Sequence, residues 1–599
     1  MDFEFGKAVQ ELYPLKQTQL AEKASATGCS RPKTGPLVTS PLTTTAVNHP
    51  GTFLLLLGDS SSQQLRKGLP SSCSIDIAAM TSIKFREPYS QEELDKLYPP
   101  HLKLQLVQVF MRHGERTPVS ARFQNAGLPS YWPYCAVARR MTSMVATNKD
   151  LSTWDTLQWR RKIETFGHDD EAVPTRGPAG ETEAICHAGE LTDKGRQTTF
   201  ELGQRLRHLY VDQLGFMPQI KSNAEDMYLR ASPIPRALES MQQAFMGMYP
   251  ASARTADFAT PAIVTRAFAD ETVYPNDANC RRFRQLSRLF AERAAQRWNE
   301  TDDMEYLTKL FTKWMPSSSP RVAVDSRPRL SGIMDTINAT LAHGAATKLP
   351  AKFYDEKALK IIDKIAVEEW YAGYKENEEY RRLGIGGLMG DVVDRMVSAA
   401  LEGGWRSEVA SSITSGSKVP IKFGLTGCHD TTLAAVLSSL GAFDNERWPF
   451  FTSHISLELF STNAETQNTT VNRDSSSSSQ TKSTGLFSFF SKPSVPSLQT
   501  PAPKSSVARI PLSDLEESSR ETLRKYYVRL RYNDRPMRIP GCVSKTANHL
   551  PGDDSFCTLE AFKEIVDKFT PKQWQSECSQ NIGEGIFGKD GKDKSVAGY

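Results

Sequence analysis

The chain has 599 residues, 39% hydrophobic and 24% charged, with a formal net charge of +4. That length exceeds one minimal core, and the composition excludes fibrous and wholly disordered classes. A net charge this small argues against a dedicated nucleic-acid binder.

Nine cysteines are scattered without a CxxC pair or zinc-like Cys/His spacing. Cys542 and Cys557 flank a loop and are able to pair, but the sparse odd set reads as free thiols in a reducing compartment. The start Met1-Asp2-Phe3-Glu4 lacks the positive region of a signal peptide, and Phe53 to Leu57 is too short to span a bilayer. The expectation is an intracellular chain, in cytoplasm or mitochondrion, with no transmembrane span.

Residues 1–85 are rich in Ser, Thr, Pro and Gly and read as a disordered extension, with Met80 as an alternative start. From Leu102 an apolar, β-rich run ends abruptly in Arg112-His113-Gly114-Glu115-Arg116-Thr117-Pro118, a buried strand leading into a charged turn. An irregular stretch follows to Glu190. Thr192 then caps a helix carrying Leu202, Leu206 and Leu209 at helical spacing. The strand–turn–helix pattern returns at Met227 to Pro233, through Arg230, with a helix starting near Pro235.

Residues 276–415 read as mainly helical. Gly384 to Gly390 lacks the GxGxxG spacing and a preceding strand, so it is expected to be a helix-to-helix turn rather than a nucleotide loop. Cys280 to Arg297 is a basic, partly aromatic helical stretch that suits an anionic ligand, a lipid surface or plain solvent equally. The pattern returns a third time at Ile421 to Gly427, ending in Cys428-His429-Asp430 and a helix closed by Gly441. Ile455–Phe460 and Tyr526–Tyr532 alternate as strands on either side of a Ser/Pro-rich insert, 462–520, read as disordered. A disordered tail is expected over 579–599.

These elements predict a three-layer α/β/α core with a mostly parallel central sheet and a smaller, mainly α-helical cap. The core is built from 86–130, 189–275, 416–461 and 521–578; the cap from 131–188 and 276–415. Three strand ends deliver charge to one edge, where open α/β sheets bind ligands. Arginines grip phosphate in bidentate fashion and stay charged, so this edge suits an oxyanion.

Arg112-His113-Gly114-x-Arg116-Thr117-Pro118 resembles the signature of the histidine acid phosphatases, a branch of the phosphoglycerate-mutase-like superfamily. The resemblance implies His113 as nucleophile, Arg112, Arg116, Arg230 and His429 as the phosphate pocket, and Asp430 as the acid for the leaving group. It implies no metal and no cofactor. Arg236 is expected in structural ion pairs, Glu115 facing solvent, and Cys428 as a small buried residue. Gly189-Glu190-Leu191-Thr192-x-x-Gly195, Tyr228-Leu229-Arg230-Ala231-Ser232, Val273-Tyr274-Pro275-Asn276, Trp448-Pro449-Phe450 and Ile539-Pro540-Gly541-Cys542 look like the lysophosphatidic acid phosphatase group.

The function expected is an acid phosphatase acting on small phosphomonoesters through a phosphohistidine, with a lysophospholipid as the finer substrate and peripheral membrane contact as a corollary. Alternatives are a phytase-like or broad acid phosphatase and a non-catalytic phospho-ligand scaffold. Oligomeric state is left open.

Overall fold

A computed structural model describes residues 81–83, 86–407, 419–462, 509–586 and 595–599. The readings made for 1–80 and for 463–508 lie outside the described residues. Helix α1 (Gln91–Leu97) opens on a capping box: the Ser90 hydroxyl accepts from Glu93 N, and Glu93 accepts from Ser90 N. Strand β1 (Leu102–Arg112) follows. Two antiparallel ribbons come next, β2 (Met141–Ala146) with β3 (Trp154–Trp159) and β4 (Glu164–Phe166) with β5 (Ala172–Pro174).

Helix α2 (Asp193–Arg207), strand β6 (Met227–Ala231), helix α3 (Pro235–Met248) and strand β7 (Ile263–Val264) return the chain to the sheet. Helices α4 (Arg281–Trp298), α5 (Asp302–Phe311), α6 (Leu330–His343), α7 (Glu356–Glu376) and α8 (Gly387–Leu401) supply the cap and its junction with the sheet. The chain closes with β8 (Phe423–Cys428), α9 (Asp430–Ser439), β9 (His454–Thr462), α10 (Glu517–Arg524), β10 (Tyr526–Tyr532), β11 (Arg535–Pro536), β12 (His549–Leu550), β13 (Asp553–Thr558) and α11 (Leu559–Asp567).

The main sheet runs β12-β13-β10-β9-β1-β8-β6-β7, with β11 beside β10. Strands β1, β8, β6 and β7 are mutually parallel. From β9 outward the pairing is antiparallel. β1 sits at the switch. Its alternate residues serve opposite layers, as the two-residue strand period requires. Val107, Val109 and Met111 pack with Leu202 and Leu206 of α2 and Met241 and Phe245 of α3. Leu106 and Phe110 share the other core with Leu433 and Val436 of α9, Val392 of α8 and the cap helices. Each such side chain contributes roughly 1.5–3 kcal/mol by leaving water. The three-layer α/β/α core and helical cap match the fold expected from the sequence.

Four expectations are corrected. Cys135–Cys186, Cys280–Cys578 and Cys542–Cys557 are disulfides, and among the described residues only Cys428 is free. The Cys280–Cys578 partners stand 298 residues apart, so spacing alone gives no sign of them. The free thiols that supported a reducing compartment are therefore withdrawn. Gly384 to Gly386 continue a helix as a π-helical turn rather than linking two helices, with Gly386 pressed against the Phe569 carbonyl.

The last part of the expected insert is ordered: Arg509 pairs with Asp391, and Leu512 N donates to Asp567. Described parts of the expected tail are ordered too: the Glu584 carbonyl accepts from Arg282, and the Gly598 carbonyl from Gly541 N. Polar, Gly-rich sequence gave these segments no periodicity, and their order comes from partners elsewhere in the chain. Among the described residues, no helix is long and apolar enough to cross a membrane.

Candidate active site

The register places Arg112 of β1 beside Cys428 of β8, and Ala231 of β6 beside Gly427. Three strand ends therefore finish level. His113 and Arg116 follow β1, His429 and Asp430 follow β8, and Ser232 follows β6. The first turn of α2 seats the charged loop. A Cβ on Gly114 would meet the Gly195 carbonyl at 2.2 Å, and one on Gly195 would meet the Glu115 carbonyl at 2.2 Å. Glycine at both positions is what lets the loop and helix touch. Thr192 caps α2, accepting from Gly195 N.

His113 is buried, and its Nδ1 lies 2.8 Å from the Gly114 carbonyl. A carbonyl only accepts, so Nδ1 holds the proton and Nε2 carries the lone pair. Burial pushes the imidazole pKa well below its usual value, and Arg236, Arg112, Arg116 and His429 push it in the same direction. The ring of His429 lies 5.6 Å from that of His113, and its Nε2 is 2.8 Å from Ser232 Oγ.

Asp430 begins α9. Its Oδ2 meets Arg112 at 2.7 Å and accepts from the Trp448 indole at 2.9 Å. Burial raises its pKa, but Arg112 and Arg116 outweigh that and hold the carboxyl well below the usual range. Arg112 also donates to the Pro449 carbonyl and stacks 4.2 Å from the centre of the Phe451 ring. Arg116 is anchored from the cap by Asp335 of α6, at 2.7 Å. The same carboxylate accepts from Val119 N at 3.0 Å, so one cap residue orders the catalytic loop as well as its arginine.

The structure brings together Arg112, His113, Arg116, His429 and Asp430. It does not bring Arg230 with them. The Arg230 guanidinium is fully buried against Glu271, which also accepts from Thr272 N and Val273 N. Arg236, expected in structural ion pairs, stands in the first turn of α3 and lowers the His113 pKa more than any other single charge does. Glu271 occupies the Arg230 guanidinium, while the turn after β6 sets Arg236 in the first turn of α3, where its charge acts on His113.

Glu115, expected to face solvent, is wholly buried and accepts from Ser82 and Thr198. Asp335 and Phe451 carried no sequence signal of a role here, and Trp448 was marked only as part of a family-like motif, not as a donor to Asp430. They arrive from the cap and from the segment before β9 only through folding.

A cleft adjoins this wall at Thr431, next to Asp430, and at Pro275, next to Tyr274. The Tyr274 ring stands 5.7 Å from His429. Phe283, Trp370, Tyr371, Tyr374 and Tyr380 line the cleft, with Arg288 and Arg329 set among four carboxylates, Glu369 included. The Tyr371 and Tyr374 hydroxyls are buried and have no hydrogen-bond partner among the described residues.

A family model described as Histidine phosphatase superfamily (branch 2) matches residues 103–478. A probable acid phosphatase of Schizosaccharomyces pombe is 36% identical over 504 residues, 84% of this chain and 99% of the relative. The human lysophosphatidic acid phosphatase type 6 is 25% identical over 369 residues, 60% of this chain and 74% of the relative. A solved phytase from Klebsiella sp. ASR1 covers 80% of this chain and 98% of its own, at 15% identity and a TM-score of 0.41. By the span of the family match and the identity along nearly the whole fission-yeast relative, this chain belongs to branch 2 of the histidine phosphatase superfamily and is an acid phosphatase of that family.

Proposed function

We propose that the enzyme hydrolyses phosphate monoesters through a covalent phosphohistidine on His113. What carries the reading is the Nε2 lone pair of His113 set among Arg112, Arg116 and Arg236, with Asp430 at the neighbouring strand end. The arginines and His429 hold the phosphoryl oxygens and stabilise their charge in the transition state, so the chemistry needs no metal. Nε2 attacks phosphorus, the ester P–O bond breaks, and the departing oxygen takes a proton from Asp430. A water then gives a proton to Asp430 and attacks phosphorus, the P–N bond breaks, and inorganic phosphate leaves. In the free site Arg112 and Arg116 favour ionised Asp430. A bound phosphate dianion offsets those charges and returns the carboxyl toward the protonated form, which supports an acid to near-neutral optimum.

For the leaving group, the cleft supports a lysophospholipid such as lysophosphatidate over phytate. Its aromatic wall suits an acyl chain, and the Tyr371 and Tyr374 hydroxyls suit a glycerol hydroxyl. A polyphosphate would meet Asp277, Glu292, Asp325 and Glu369 against Arg288 and Arg329 there, and Arg329 is already paired with Glu369. The human relative named for lysophosphatidate points the same way. Three disulfides suit an oxidising compartment. The test is a panel of lysophosphatidate, phytate and para-nitrophenyl phosphate at several pH values, with His113→Ala as control. Turnover surviving His113→Ala sinks the mechanism, and phytate preferred over lysophosphatidate sinks the substrate class.

A further inference from the structure

The β2–β3 ribbon is built unlike the rest of the molecule. Of its strand residues only Val145 is even partly covered, so both faces meet water. A lone two-stranded ribbon in that condition is marginal at best. Yet it carries Met141, Met144, Trp154, Leu157 and Trp159 exposed, with Leu151 at its tip. Met144, Leu151 and Trp154 are 61%, 60% and 54% exposed. The register sets Met141 across from Trp159 and Ala146 across from Trp154, so each face presents an indole.

Cations border this apolar surface. Arg139 and Arg140 at the root, Lys149 near the tip and Arg160 at the exit are all exposed. Asp150 and Asp155 are the carboxylates within the same span. The tip of the second ribbon is acidic, with Asp169, Asp170 and Glu171. Indoles and long apolar side chains flanked by arginine and lysine have the chemistry of a membrane interface, where rings sit at headgroup depth and cations meet anionic lipid.

The root of the ribbon is tied to the catalytic loop. Arg161, just past β3, pairs with Glu190, and the Glu190 carbonyl accepts from Thr117 N in the Arg112–Pro118 loop. The Cys135–Cys186 disulfide fastens the same base.

We propose that the β2–β3 ribbon is a docking device that seats the enzyme on a bilayer surface carrying anionic phospholipid. The proposal goes beyond the phosphatase reading. Its assay scores vesicle binding without turnover, so either can fail alone. The full chain is sedimented with phosphatidylcholine vesicles, with and without phosphatidylserine.

The parent should sediment with the anionic vesicles and be released by high salt. Trp154→Ser with Leu157→Ser and Trp159→Ser should weaken partitioning about tenfold or more. Arg139→Gln with Arg140→Gln and Lys149→Gln should do the same while keeping the apolar side chains. Both variants should turn over soluble para-nitrophenyl phosphate like the parent, because none of the six residues lies in the site. A parent that ignores anionic vesicles, or two variants that bind as the parent does, overturns the proposal. So does a vesicle-free dimer that the Trp/Leu variant abolishes, which would make the ribbon a face between copies.

Discussion

Arg236→Ala and Arg230→Ala separate the arginine that meets phosphate from the one that supports the fold. Arg236 is the leading charge on His113, and on the proposed mechanism its guanidinium holds a phosphoryl oxygen. Losing one such donor costs about 10²–10³-fold in rate, or 2.7–4 kcal/mol of transition-state stabilisation. Arg230 is paired with Glu271, whose carboxylate is fully buried and also accepts two backbone N–H groups, at 2.8 and 2.7 Å. Removing Arg230 leaves that carboxylate without its cation, a loss of about 3–5 kcal/mol in stability.

Arg236→Ala should therefore cut kcat/KM for para-nitrophenyl phosphate within the stated range and leave the melting temperature near the parent's. Arg230→Ala should lower the melting temperature, and Glu271→Gln added to it should recover part of the loss. Its folded fraction should keep kcat/KM within a few-fold of the parent. The reverse pattern, a well-folded but inactive Arg230→Ala beside an active Arg236→Ala, would refute the assignment.

Trp448→Phe removes the indole donor on Asp430, a bond to a charged group worth about 1.5–3 kcal/mol. Loss of that donor raises the Asp430 pKa, so the pH optimum for alkyl phosphates should move up, and Asp430→Asn should cut kcat about tenfold or more for them and much less for para-nitrophenyl phosphate, whose leaving group needs little help. An equal fall on both substrates would remove Asp430 from that role. Burial drops His454 to a pKa of about 4 despite the nearby Asp534 carboxylate. The unfolded chain binds that proton near 6.5 and the folded chain does not, so stability declines as pH falls from about 6.5 toward 4, by about 3 kcal/mol. Thermal melts across that window should show the decline, and His454→Gln should flatten it. Alkylation of the denatured, unreduced chain should leave the six paired cysteines unlabelled, and full labelling would overturn the disulfides. Reduction should cost about 2–5 kcal/mol per bridge removed.

The chemistry of the site was largely written in local sequence. An apolar strand that stops at Arg112-His113-Gly114, and another that stops at His429-Asp430, place reactive groups at strand ends because parallel sheets finish their strands at one edge. Periodicity gave the three layers, since burial on one face imposes a two- or 3.6-residue repeat that a linear sequence displays.

What folding alone decided is everything that depends on direction in space. Arg230 and Arg236 stand six residues apart, and composition cannot say which guanidinium turns toward His113; the exit of β6 and the start of α3 settle it. Asp335 orders Arg116 from a helix more than two hundred positions away, a contact with no local trace. Cys280 finds Cys578 for the same reason: pairing follows proximity in the folded chain, not spacing along it. The β2–β3 ribbon is the converse case. Its Met, Leu and Trp residues lie in a stretch whose sequence showed no periodicity, and only the tertiary structure pairs it into a ribbon and leaves them in water, where nothing in the described chain covers them.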